Sequence, residues 1–131
     1  MLSLTKLSAA ELNEMSPLIL AYVGDAVYEL AVRRALAMDT KKKIKELHLD
    51  TVSRVKADSQ AKTLRGIEGK LTPEELNIVR RGRNAKSGSH PRNVPISDYR
   101  MSTGLEALLG YIYLSGDLER LNEILEWVID F

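Results

Sequence analysis

Apolar residues recur along this chain at helical spacing, and the strict alternation of a half-buried strand is almost absent. Ser8 and Glu11 form a capping box ahead of a short first helix, and Ser16-Pro17 opens a long second one with a hydroxyl cap and a proline at the first helical position. Thr72-Pro73-Glu74-Glu75 is a further start signal of the same kind. Lys41 to His48 reads as a short helix and Thr51 to Leu64 as a longer one. Ser97 or Asp98 begins a helix that carries Glu106, and Asp117 to Ile129 makes a final amphipathic one. Residues 84–96 hold Gly88, Pro91 and Pro95, which break regular structure, so an irregular connection is expected there. The pattern predicts an all-α fold of about seven helices, with residues 1–131 in a single domain.

Two of these helices carry a charge where the pattern calls for burial. From Pro17 to Ala37 the helix is apolar nearly all round, through Leu18, Ile19, Leu20, Val23, Ala26, Val27, Leu30 and Ala31, so it is expected to be central, with Asp25 inside it. From Ser102 to Leu114 the only charged residue is Glu106. An uncompensated carboxylate in such a setting costs several kcal/mol, so each acid needs a cation, a hydrogen-bond network or a metal. Gly24 lies beside Asp25, and Gly110 lies four residues past Glu106, where two helix backbones could approach closely. If the helices cross at those glycines, the two carboxylates face one another and need a divalent cation or a shared proton. The structural alternative is an internal salt bridge to Arg33, Arg54 or Lys56.

Net charge is only +1, but its distribution is uneven. Residues 41–65 hold eight Lys or Arg against three acids and residues 76–104 hold six against one, whereas residues 105–131 hold six acids against one arginine. Two basic zones suit the phosphates of a duplex, although a run of charge is also what any solvated helix face looks like. In the second zone Arg80, Arg81, Arg83, Lys86, Ser87, His90 and Arg92 offer charges and neutral donors to a sugar-phosphate backbone. The chain has no cysteine, which excludes a disulfide framework and a thiolate nucleophile and agrees with a cytoplasmic location. No stretch has the length or apolarity of a membrane span, and no targeting segment is expected at Met1 to Lys6.

The segment Val23-Gly24-Asp25-Ala26-Val27-Tyr28-Glu29-Leu30 resembles the signature box of ribonuclease III endonuclease domains. Leu105-Glu106-Ala107-Leu108-Leu109-Gly110-Tyr111 is similar to the second acidic helix of that family, and Ser53-Arg54-Val55-Lys56-Ala57 to its middle helix. Short length and the Arg81-Gly82-Arg83-Asn84-Ala85-Lys86-Ser87-Gly88-Ser89 run place the resemblance in the Mini-ribonuclease III branch, which lacks the double-stranded RNA-binding domain. The resemblance implies a ribonuclease III endonuclease-like fold and an endoribonuclease of double-stranded RNA. Asp25 and Glu106 would then be metal ligands and catalytic residues for magnesium, or for manganese in its place. It also implies a homodimer, a role in maturing the 23S ribosomal RNA precursor, and presentation of that substrate by ribosomal particles or a ribosomal protein. Longer members carry a glutamate four residues before the box aspartate and an aspartate three before the second glutamate; here those positions are Ala21 and Thr103. Loss of two acids leaves a second reading open, a non-catalytic RNA-binding or ribosome-associated scaffold with the same fold.

Overall fold

A computed structural model describes residues 5–38, 41–86 and 91–129. Its helices are α1 (Ala9–Glu14), α2 (Pro17–Ala37), α3 (Ile44–Arg54), α4 (Ala57–Ile67), α5 (Pro73–Asn84), α6 (Ile96–Ser115) and α7 (Leu118–Val128), with a 3-10 turn at Glu68–Lys70 and no strand among the described residues. All three sequence-read starts are capped as expected. Ser8 and Thr72 each accept from the backbone N–H three residues on and receive the glutamate there in return, and Ser16 accepts from the N–H of Leu18.

Two boundaries fall elsewhere than the pattern predicts. Thr51 does not open a helix; it is buried in α3, where its hydroxyl donates to the Leu47 carbonyl at 2.8 Å. The break comes at Val55-Lys56, where Lys56 takes an extended backbone and the Ser59 hydroxyl reaches back to the Ser53 carbonyl at 3.1 Å. The Glu106 helix starts at Ile96, directly after Pro95, which is extended and lacks an N–H to leave unpaired. Sequence periodicity continues through both points, so local hydrogen bonding decides them.

Helix α6 is the axis of the molecule. It packs against α1, α2, α4, α5 and α7, and Leu105, Ala107, Leu108 and Leu109 are fully buried in it. Its partners close on it by side-chain ties. Arg120 of α7 holds Glu75 of α5 with two hydrogen bonds of 2.8 and 2.7 Å, a bidentate pairing that keeps the Glu75 carboxyl below its usual range. Arg81 of α5 donates to the carbonyls of Asn13 and Met15 at 3.5 and 3.4 Å, bracing the turn between α1 and α2. Among the described residues no helix is long and apolar enough to cross a membrane.

The α2–α6 contact is backbone against backbone. A Cβ at Gly24 would overlap the Glu106 carbonyl oxygen and come within 2.9 Å of the Gly110 nitrogen, and one at Gly110 would overlap the Leu20 carbonyl and come within 3.0 Å of the Gly24 nitrogen. Each glycine is thus the space into which the other helix fits. Helix α2 is not buried all round, which corrects the expectation from its composition. Leu20, Gly24, Tyr28, Val32 and Leu36 face inward, while Tyr22 is 79% exposed, Leu30 63% and Ile19 50%. The described neighbours α3, α5 and α6 cover only one side of it. We predict that Gly24→Ala and Gly110→Ala each destabilise the fold by about 3 kcal/mol or more, since rigid backbone rather than a side chain must give way. Urea unfolding measures this, and a loss under about 1 kcal/mol would show that the crossing relaxes freely.

Candidate active site

The glycine crossing sets the positions of the two acids. Asp25 follows Gly24 on α2, and Glu106 is the residue whose carbonyl fills the space left by Gly24, so the crossing point and the acidic pair coincide. Asp25 is solvent-exposed, whereas Glu106 is largely covered. The expectation that Asp25 is enclosed in its helix therefore fails, because its face of α2 is open. The expectation that the two carboxylates meet is supported by the effect of Asp25 on Glu106. Burial, and then hydrogen bonding and repulsion from Asp25, push the Glu106 carboxyl up to about 9. Arg33, one of the cations considered for a structural salt bridge, pairs instead with Glu29 at 3.2 Å.

Helix α4 brings a third polar group that sequence reading passed over. Gln60 is 2% exposed, and its amide acts on Glu106 to lower the carboxyl's affinity for a proton. Yet its Nε2 makes no hydrogen bond of normal geometry, and it is the only such buried side-chain nitrogen or oxygen among the described residues. An orphaned donor of this kind beside a carboxylate marks a place where a further acceptor is expected. The signal was present in the sequence, since Gln60 is the one polar member of the buried stripe Gln60, Ala61, Leu64 and Ile67. One helical turn past Asp25, the buried Tyr28 hydroxyl donates to the Arg54 carbonyl at 3.4 Å and closes the underside of the site; burial chiefly raises its pKa.

The two positions where longer relatives carry acids are accounted for. Ala21 is buried one turn before Asp25 and has no ligating atom. Thr103 is buried one turn before Glu106 and spends its hydroxyl proton on the Tyr99 carbonyl at 3.0 Å. Among the described residues no third His, Cys, Asp or Glu joins the pair into a larger cluster. The donor set nonetheless fits a divalent cation. Two carboxylates at short range cannot both ionise without one, and magnesium takes few protein ligands, keeping water and substrate oxygens in its remaining positions.

The basic residues read from the sequence belong to α5 and the connection that follows it. Arg80, at the outer face of α5, hydrogen-bonds Asn77. Arg83 is exposed, with one guanidinium nitrogen 3.9 Å from the Met101 sulfur. Lys86 and Arg92 are exposed, whereas Arg81 is half-buried in the brace described above. Ser87 and His90 lie outside the described residues.

Comparison with known proteins decides the family. Residues 18–117 match the Ribonuclease III domain. The chain belongs to the ribonuclease III family. Within it, the chain is 49% identical over 112 residues to Mini-ribonuclease 3 of Thermoanaerobacter sp., covering 86% of this chain and 79% of that protein. It is 45% identical over 121 residues to Mini-ribonuclease 3 of Clostridium tetani, covering 92% and 80%. A crystal structure of a Fusobacterium nucleatum protein superimposes with a TM-score of 0.81 at 29% identity, over 96% of this chain and 98% of that one. Resemblance to the Mini-ribonuclease III branch is borne out, and a ribonuclease III family member of this kind is an endoribonuclease.

Stability should report the charge pair directly. With its pKa raised in the folded chain to about 9 from an ordinary value of 4.5, Glu106 binds a proton more tightly in the folded than in the unfolded chain. That contribution is complete below the unfolded value and is lost as pH rises toward the folded one. In chelator, we therefore predict a Tm that falls between about pH 5 and pH 9, and a shallower fall in Glu106→Gln. Parallel curves for the two proteins would contradict the assignment.

Proposed function

We propose that this chain is a magnesium-dependent endoribonuclease of double-stranded RNA, in which Asp25 and Glu106 hold the metal and manganese can take its place. The observation that carries this reading is the convergence of the two acids at the glycine crossing, where burial and the neighbouring Asp25 raise the Glu106 carboxyl. When bound, the cation supplies an activated water and compensates charge on the phosphate oxygens. Glu106 orients from the covered side, Gln60 holds a donor beside it, and Asp25 faces the solvent from which a strand must arrive. No side chain here needs to act as a covalent nucleophile. Arg80, Arg83, Lys86 and Arg92 are exposed cations that would neutralise phosphates, with Ser87 and His90 of the same stretch of sequence as further donors. Arg81 would contribute only long-range charge, since its head is engaged by backbone carbonyls.

The open face of α2 supports a homodimer. Ile19, Tyr22 and Leu30 expose apolar surface on that side, with the Glu29–Arg33 pair among them and Asp25 at its edge, and a second copy would cover it by a two-fold contact. Two such sites side by side could cut both strands of a duplex. Action on the 23S ribosomal RNA precursor, in the cytoplasm and with help from ribosomal particles or a ribosomal protein, rests on resemblance to the Mini-ribonuclease III branch. The rival reading, a non-catalytic RNA-binding scaffold, draws on buried Ala21 and self-bonded Thr103, which leave two carboxylates where longer members have four.

One assay separates the readings. Incubated with a long RNA duplex and magnesium, the parent protein should cut, and Asp25→Asn and Glu106→Gln should each cut more than about 100-fold more slowly. Cleavage by either variant at the parent rate would remove these residues from the site, and binding without cleavage by the parent would favour the scaffold. For the dimer, Leu30→Glu should shift the sedimentation of the protein from two copies to one; a parent that sediments as a monomer would refute it.

A further inference from the structure

Away from the α2 strip, a cleft of about 610 Å³ opens between α3, α4 and the end of α7. That volume lies within the range of small-molecule sites. Its chemistry is cationic: Arg54, Lys62 and Lys70 line it from three successive elements, with Asp50 as the one carboxylate among the described residues of the lining. Asp50 is already neutralised, since it pairs with Lys42. Among the described residues neither Lys62 nor Lys70 has a carboxylate partner. Thr63 also lines the cleft, its hydroxyl hydrogen-bonded to that of Tyr28, and the Lys70 ammonium rests 5.1 Å from the centre of the Trp127 ring. A cation held over an aromatic face is modestly stabilised and can be drawn away by an anion of full charge.

We propose that this cleft is a phosphate-binding site, distinct from the carboxylate pair, in which Lys62, Lys70 and Arg54 hold the phosphate group of a nucleotide. Several cations and a hydroxyl converging on one concave surface are what a phosphate requires, and a magnesium site requires the opposite. Its position gives it a use. Tyr28, in the lining, is three residues past Asp25, and Thr63 is three past Gln60, so the cleft begins about one helical turn from the catalytic pair. The phosphate can belong to a free nucleotide or to an RNA strand leaving the catalytic pair.

Trp127 is the only tryptophan in the chain and lines the cleft, so its fluorescence reports on it. In chelator, where no strand is cut, the full chain is titrated with inorganic pyrophosphate and, separately, with a short RNA duplex. We expect a saturable change in Trp127 emission, weakened about tenfold by Lys62→Ala and restored in part by Lys62→Arg. Lys45→Ala, in the same basic zone but outside the lining, should leave it unchanged. A response to pyrophosphate assigns the site to free nucleotides as well, and a response to duplex alone assigns it to the RNA strand. No response to either probe, or equal weakening by Lys62→Ala and Lys45→Ala, overturns the proposal. Unfolding curves for the exposed lysine variants should match the parent, and the readout needs no cleavage, so it stands whether or not Asp25 and Glu106 prove catalytic.

Discussion

Two helix backbones pressed together at Gly24 and Gly110 dictate most of what this molecule can do. Larger residues at either position would hold α2 and α6 apart by the width of a side chain. With the gap closed, the carbonyl of Glu106 occupies the space above Gly24, and the next residue along α2 is an aspartate. Close packing thus does electrostatic work: it forces a covered acid against an exposed one. Burial first, and then the hydrogen bond and repulsion from Asp25, push the Glu106 carboxyl up to about 9. A site that destabilises its own ionised form is poised to gain from a divalent cation, which replaces the proton and relieves both burial and repulsion.

The same helix serves two surfaces. Inward residues of α2, Leu20 through Leu36, complete the core around α6, while Ile19, Tyr22 and Leu30 leave the opposite side apolar and open. Asp25 lies at the edge of that side, one turn from Tyr22, so the ligand site would border the surface proposed for a second copy. Substrate, metal and partner would then meet on one face, and the cationic cleft walled by α3, α4 and Trp127 lies a turn beyond it.

Much of this was legible in the sequence because it rests on local chemistry. Caps at Ser8, Ser16 and Thr72 are hydrogen bonds within four residues, and they appear where the residues predict them. Asp25, Glu106 and their glycines stood out because charge and glycine are costly in apolar helices. What escaped was tertiary. An apolar helix shows no preferred side in its composition, so the exposure of Tyr22 and Leu30 came only with the position of α6. Gln60 looks like an ordinary polar residue until α4 turns it under the surface beside Glu106. Arg81 reads as one more basic residue in a cluster, yet it is fastened to the Asn13 and Met15 carbonyls, more than sixty residues away in sequence. The break between α3 and α4 was misplaced because Thr51, a plausible cap by type, bonds backward inside its own helix.

Calorimetric titration of the full chain with magnesium at neutral pH, repeated in buffers of different ionisation enthalpy, tests the central claim most directly. If Asp25 and Glu106 share the ion, binding must expel the proton that Glu106 holds, and the heats should report release of about one proton per site, abolished in Glu106→Gln. Magnesium binding with no proton released, or binding of equal strength in that variant, would show that the ion is held elsewhere.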